Sequence, residues 1–407
     1  MKTLITILLC FILSFVSVNA YSQWINQSPP SPGHQIFSCS FPSANVGYIC
    51  GYGEFFMKTT NGGQNWIDLS LGFTGDNLNA VWFLNETTGF MTSTNDSLLY
   101  STNGGLDWIN YLYLGNQGQD LFFLNSQTGW ASSYNRLYKT TNAGINWSLV
   151  INAAVPDMFF TSENTGWKTS YSSGSSQVMK TTNGCQSWET KHTTTDFRVV
   201  YAIDFINENT GWICGYRGYI AKTTDGGETW TVQRDTGGQG LYTICFINPN
   251  IGFASGDNGS VVSTSDGGTT WTETNLPASR YSKIEFINQN TGWMVGSHGV
   301  VRKTTNAAGL TFANPISTVA DGFELKQNYP NPFNPSTTIE FSVPNSDFYT
   351  LKIYDMNGKE VATLVNENLN SGSYNVEWNG LNNSSGIYFY KLVSGSFTAV
   401  KKMLMLK

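Results

Sequence analysis

The sequence predicts an all-β protein: a seven-bladed β-propeller followed by a small immunoglobulin-like β-sandwich. Three observations predict it. The chain has 407 residues, of which 14% are aromatic and 12% charged, with 41 Gly. That balance excludes a disordered chain, which needs high charge and few aromatics, and a long-helix protein, which needs more Lys, Glu and Leu. A motif recurs at a mean spacing of about 41 residues, the ~40–45-residue length of one four-stranded propeller blade. After Pro315 the motif stops and a proline-rich entry to a second strand-rich block begins.

Each repeat opens with a short apolar run closed by a phenylalanine: Phe41, Phe83, Phe123, Phe160, Phe205, Phe246 and Phe286. Two positions earlier stand Cys39, Val81, Leu121, Met158, Ile203, Ile244 and Ile284. Apolar residues at period two mark a strand. Six residues after each Phe comes glycine plus an aromatic, as in Gly47-Tyr48, Gly89-Phe90, Gly129-Trp130, Gly166-Trp167, Gly211-Trp212, Gly252-Phe253 and Gly292-Trp293. A second strand, a Gly-rich turn and a third strand follow. The third strand ends in a Thr/Ser-Asn/Asp-Gly hairpin that leads to a Trp-bearing fourth strand.

That hairpin carries a resemblance. Thr59-x-Asn61-x-Gly63-x-x-Trp66, Thr223-x-Asp225-x-Gly227-x-x-Trp230 and Thr264-x-Asp266-x-Gly268-x-x-Trp271 resemble the Asp-box turn of sialidase-type propellers, with further copies at Asn103–Trp108, Asn142–Trp147 and Asn183–Trp188. The seventh copy, Thr305 to Phe312, is degenerate. The box is a folding motif: its Asp or Asn accepts turn N–H groups, its Gly takes positive φ, and its Trp packs the turn onto the blade. The complete unit, typified by Thr210 to Trp230, resembles the photosystem II assembly/stability-factor-like propellers, seven-bladed relatives of the sortilin type. The segment around Trp24 resembles the fourth strand of a blade and is expected to complete the last one, removing a free edge; Thr311–Ser317 is the alternative. Lys58, Lys139, Lys180, Lys222 and Lys303 precede the boxes and read as structural.

The segment 323–407 reads as alternating strands with a turn at Asn357-Gly358. It closely resembles the type A C-terminal sorting domain of the type IX secretion system. The matching residues are Asn328, Tyr329, Pro330, Asn331, Pro332, Phe333, Asn334 and Pro335, then Ile353-Tyr354-Asp355, Trp378-Asn379-Gly380, and Ser385, Gly386, Ile387 and Tyr388. The resemblance implies cargo of the outer-membrane translocon of Bacteroidetes-like bacteria, handled by its sortase-like peptidase and then released or attached at the cell surface. At the other end, Lys2, an apolar run from Leu4 to Val16 and Val18-Asn19-Ala20 read as a signal peptide for the general secretory pathway, cleaved after Ala20. The expected organisation is therefore signal peptide 1–20, propeller 21–315, linker 316–322 and sorting domain 323–407, with no transmembrane segment in the mature chain.

Little in the sequence points to chemistry. The net charge is -6, which disfavours nucleic acid as a partner. The six propeller arginines form no sialidase-like arrangement, no pair of carboxylates is marked as flanking a glycosidic bond, and the three histidines His34, His192 and His298 are scattered. No catalytic residue, metal site or cofactor is expected. Cys39, Cys50, Cys185, Cys214 and Cys245 remain after signal cleavage and read mainly as small buried hydrophobes. If residue 42 pairs with 47, Cys39 faces Cys50, which makes a disulfide between these two an expectation. Asp204 and Glu285 interrupt an otherwise largely apolar inner column, and pairing with an arginine is expected for them.

A ligand is expected on the face formed by the loops entering the innermost strands and the loops between second and third strands, opposite the boxes. Arg198, Tyr201, Tyr216, Arg217, Asp257, Arg280, Tyr281 and His298 map there. The arginines offer a site for a carboxylate or anionic glycan. The reading is an exported, non-enzymatic binding or adhesion module for glycan or protein. A degenerate glycan-active hydrolase of the Asp-box type and an assembly factor for another envelope protein are the alternatives.

Overall fold

The recurring Phe and the recurring Gly-aromatic pair are one device. In six of the seven blade ladders Phe lies directly opposite the glycine, as Phe83 does opposite Gly89 and Phe205 opposite Gly211. The Phe ring covers that glycine so closely that a Cβ on Gly89 would stand 2.7 Å from the Phe83 ring. Only glycine leaves room. The aromatic after the glycine then stacks on the Phe of the next blade, with ring centroids 3.5 Å apart for Tyr48 and Phe83, 3.6 Å for Trp130 and Phe160, and 3.5 Å for Trp212 and Phe246. The box Trp meets the same Phe edge-on, as Trp108 does Phe83 and Trp271 does Phe246, both at 5.9 Å. Each Phe is thus held between its own box and the preceding blade.

The computed structural model describes residues 24–29, 33–70, 76–172, 175–194, 198–278, 280–305, 314–317, 322–380, 383–395 and 397–406. Seven four-stranded antiparallel sheets form the blades. Their innermost strands are Ile36–Ser40, Leu78–Phe83, Gly118–Phe123, Met158–Phe160, Val200–Phe205, Leu241–Phe246 and Tyr281–Phe286. The expected lysines are staples between blades. Lys58, Lys139, Lys180, Lys222 and Lys303 lie over the ring of the Gly-aromatic pair, Lys222 at 5.0 Å from Trp212. Lys222 Nζ also donates to the carbonyl of Gly267 in the next box at 3.0 Å.

The ring closes at its N-terminal strand. Ile25–Asn26 pairs with Val301–Thr304 as the outer strand of blade 7, Ile25 opposite Lys303. Trp24 stands edge-on to Phe286 at 5.9 Å, the place the box Trp occupies in the other blades. Across the seam Trp293 stacks on Phe41 at 3.7 Å and its Nε1 donates to Gly62 O at 3.2 Å. The degenerate seventh box lies, beyond Thr305, outside the described residues. The alternative closing segment does something else: Asn314–Ser317 pairs with Gly372–Asn379 of the C-terminal domain. The expected boundary at residue 315 therefore cuts a strand, and the expected linker 316–322 begins inside it.

The C-terminal domain is a sandwich of two four-stranded sheets around one core that includes Phe333, Tyr349, Trp378, Tyr388 and Tyr390. The sorting motif organises its edge. Phe333 is buried, its N–H donates to Leu404 O at 3.0 Å, and its carbonyl accepts Leu406 N–H at 2.9 Å. Asn331 Oδ1 accepts Leu404 N–H at 2.9 Å, while buried Asn328 Nδ2 donates to Thr337 Oγ1 at 2.9 Å. The motif clamps the last strand, Phe397–Met405. The proposed signal peptide lies outside the described residues. Among these, no helix is long and apolar enough to cross a membrane.

One expectation about the cysteines fails. Cys39 lies opposite Ile49 and Cys50 opposite Ser38. The turn holds five residues rather than four, so the register shifts by one and the two thiols point to opposite faces of the sheet. Both are free and buried. Cys50 Sγ instead reaches Leu78 O in the next blade at 3.4 Å.

Candidate functional site

The inner strands line a channel, and its polar residues serve the fold. Most inner strands turn backbone N–H groups toward the preceding blade, and side chains there accept them. Ser40 Oγ accepts Phe83 N–H at 2.9 Å, Asp157 Oδ2 accepts Ile203 N–H at 2.7 Å, Asp204 Oδ2 accepts Phe246 N–H at 2.5 Å, and Glu285 Oε1 accepts Phe41 N–H at 3.2 Å. Asp204 and Glu285 therefore take backbone donors, not the expected arginine. Burial pushes the carboxyl of Asp204 up to about 6 and that of Glu285 up to about 7, against the pull of those N–H groups and of Lys283. Asp157 is raised by burial and by neighbouring Asp120. Lys283, the cation among them, is raised by Asp120, Asp157 and Glu285 despite its burial. A cavity of about 390 Å³ opens beside the small side chains of Ser38, Ser40 and Ala80 in blades 1 and 2, with Trp82, Asp120, Lys283 and Glu285 also in its lining. Among the described residues, no cluster of His, Cys, Asp or Glu is arranged to hold a metal ion.

The loop face is built on a second repeated position, five residues after the repeat glycine. Its backbone is pinned to the residue entering the inner strand: Tyr52 N–H donates to Gln35 O at 2.8 Å, Tyr216 N–H to Val199 O at 2.8 Å, Asp257 N–H to Gly240 O at 3.0 Å and Ser297 N–H to Arg280 O at 2.9 Å. The next residue turns left-handed, with φ 67 at Gly53, 60 at Arg217, 54 at Asn258 and 59 at His298. Glycine adopts that conformation freely, whereas Arg217 and His298 hold it at a cost of order 1 kcal/mol.

Three expected residues come together around one that the sequence reading missed. Asp257 Oδ1 accepts Arg280 Nε at 3.0 Å, and Asp257 Oδ2 accepts the hydroxyl of Tyr242 at 3.1 Å. Arg280 also donates to that hydroxyl at 3.1 Å and lies 4.2 Å from the Tyr242 ring. Tyr201 stacks on Tyr242 with centroids 4.7 Å apart, and Tyr216 is near enough to Tyr201 to influence its hydroxyl. Arg198 stands apart, bonded to Asp235 at 2.6 Å with its guanidinium over Tyr219. Two of the three arginines expected to receive an anion are thus already paired. Tyr281 is not on the surface at all: it is fully buried, and its hydroxyl accepts Arg302 Nε at 2.6 Å. Arg217 and His298 are exposed. Tyr242 sits one column before the channel-lining residues, and its alignment with Tyr201 was the available signal.

The photosynthesis system II assembly factor YCF48 family profile matches residues 16–184 and 236–313. The chain belongs to this family. To that propeller it adds a secretion system C-terminal sorting domain, matched over residues 327–406. This tail marks the chain as type IX cargo, exported to the cell surface or beyond. No curated protein sequence matches it. A structure of YCF48 bound to D1 peptide is 21% identical, with a TM-score of 0.60 over 70% of this chain and 96% of that one. PorZ, a surface component of the type IX secretion system of Porphyromonas gingivalis, is 13% identical, with a TM-score of 0.54 over 91% of this chain and 59% of that one. A xyloglucanase from Xanthomonas campestris is 12% identical, with a TM-score of 0.54 over 79% and 59%. At such identities these three likenesses show the fold of this YCF48-family chain and nothing finer.

Proposed function

We propose that this chain is an exported, non-catalytic binding module whose loop face is the contact surface. On this reading the general secretory pathway carries it to the periplasm, the type IX translocon takes it out, and a sortase-like peptidase removes the tail. The observation that carries the binding role is the contrast between the two groups of polar residues. The channel carboxylates accept backbone N–H groups and hold neighbouring blades together. The loop-face set of Tyr201, Tyr242, Asp257 and Arg280 links blades 5 to 7 by side chains that meet one another and by the Asp257–Arg280 backbone bridge, and it stays partly exposed to solvent. Beside it, the exposed Arg217 and His298 hold the left-handed turn position that Gly53 fills in blade 1, and strain of this kind gathers at binding sites.

A second reading, a glycan-active hydrolase, has the raised carboxyls of Asp157 and Glu285 and the xyloglucanase likeness behind it. A glycosidase needs two carboxylates free to flank one bond, and here one oxygen of each, Asp157 Oδ2 and Glu285 Oε1, is tied to the Ile203 or Phe41 N–H of the next blade. The YCF48 structure with its D1 peptide supports a third reading, in which the face receives a peptide of another envelope protein. The test is to incubate the purified full chain with a panel of glycans and envelope proteins, measuring retention and product release together. Retention without product is expected. Product release abolished by Asp257→Asn or Glu285→Gln would overturn the reading.

A further inference from the structure

We infer that the loop face is a stacking platform for a neutral polysaccharide, an inference that rests on the binding reading above and narrows its ligand. The position five residues after the repeat glycine is tyrosine in four blades: Tyr52, Tyr134, Tyr171 and Tyr216. All four rings are solvent-exposed, by 60%, 52%, 58% and 45%. Three belong to consecutive blades, 3, 4 and 5. Their backbone placement is fixed, because the backbone N–H groups of Tyr52, Tyr134 and Tyr216 are bonded to Gln35, Gln117 and Val199. With the backbone pinned, only the two side-chain torsions of each tyrosine remain to be ordered on binding.

The chemistry of exposed residues divides by location. The propeller's exposed aliphatic side chains, such as Ile67, Leu106, Ile109 and Ile145, lie on outer strands and boxes. Among the described residues, the turns between second and third strands and the strand end at Tyr171 expose tyrosine alone among large apolar residues. Single amphipathic rings, set one per blade with polar loops between them, do not make the contiguous water-excluding patch of a protein hot spot. They match a polymer whose repeating units each offer a C–H face to a ring and hydroxyls to its polar surroundings. Charge complementarity selects a neutral polymer. Arg198 is neutralised by Asp235 and Arg280 by Asp257, and the chain carries a net charge of -6, so an anionic polymer meets repulsion and finds, of the three arginines, Arg217 alone outside an ion pair among the described residues.

The test is affinity electrophoresis of the full chain through native gels containing amylose, mixed-linkage β-glucan or galactomannan, with polygalacturonate as the anionic control. Retardation by at least one neutral polymer and not by polygalacturonate is expected. The Tyr134→Ala, Tyr171→Ala, Tyr216→Ala triple variant, with unchanged thermal unfolding, should bind at least about tenfold more weakly, since each ring contributes a fraction of a kcal/mol or more. The corresponding triple Phe variant, which keeps the rings, should retain binding. No retardation of the wild type by any of the neutral polymers overturns the inference, as does equal retardation of the Ala variant or preference for the anionic gel. If the chain instead retains an anionic glycan or an envelope protein without turnover, this inference fails while the binding reading stands.

Discussion

Replacing Glu285 by glutamine should stabilise the protein at neutral pH and leave it unchanged in acid. Glu285 lies on the inner strand of blade 7, and its Oε1 accepts the Phe41 N–H at the ring seam. An amide oxygen can accept the same bond without bringing a charge into the channel. The carboxyl ordinarily titrates at 4.5, and burial lifts it to about 7 in the folded chain. Between those values the folded state holds a proton that the unfolded state has released, so stability falls as pH rises. Above pH 7 the whole penalty is present. A rise of about 2.5 units at ~1.36 kcal/mol each gives an upper value of ~3 kcal/mol. Asp204, lifted from 3.8 to about 6, produces a similar decline at lower pH, but it is common to both proteins and cancels in their difference. Urea unfolding at pH 4.5, 6 and 8 measures that difference. The Glu285→Gln variant should gain little at pH 4.5 and up to ~3 kcal/mol at pH 8. An equal effect at both pH values, or destabilisation at pH 8, refutes the reasoning.

Further outcomes follow from the same structure. Lys168 is buried against the ring of Trp188, in the column that Met91 and Met294 fill elsewhere, and burial lowers its amine from 10.5 to about 8. Its cost is full below pH 8 and fades as pH rises to 10.5, so Lys168→Met should raise stability by about 1–3 kcal/mol at pH 7 and by almost nothing at pH 10.5, as measured by urea titration. Trp24→Ala removes the ring that stands in for the seventh box Trp and should cost about 3–5 kcal/mol; a loss below ~1 kcal/mol would place ring closure elsewhere. Intact mass before and after reduction should differ by nothing, because Cys39 and Cys50 point to opposite faces; a gain of two hydrogens would contradict the register.

Most of the fold was legible because its stabilising contacts recur in sequence. Phe, Gly and the aromatic after it sit at fixed spacing, since the ring must cover the glycine and the next blade must stack on both. Trp24 was legible as a closing residue because it repeats a strand that each blade already displays. The register of Cys39 and Cys50 was not, because it turned on one residue in a turn length that local pattern left open. The partners of Asp204 and Glu285 were hidden for another reason. Phe246 and Phe41 N–H groups belong to neighbouring blades, and nothing local to either carboxylate announces them. On the loop face, the separate arginines were legible but their neutralisation was not: Asp235 lies 37 residues from Arg198, and the two meet only when the blade folds. The exposed tyrosine column was readable throughout, and it gained meaning once exposure separated it from the buried aromatics.

Export of the propeller by its C-terminal tail is tested most directly by locating the protein. The full chain and a version ending before Phe323 would be expressed in a bacterium with a working type IX system and followed by immunoblot in periplasm, cell surface and medium. The account predicts the propeller at the surface or in the medium with the tail, and its retention in the periplasm without it. Export of the truncated chain at the level of the full one would contradict it.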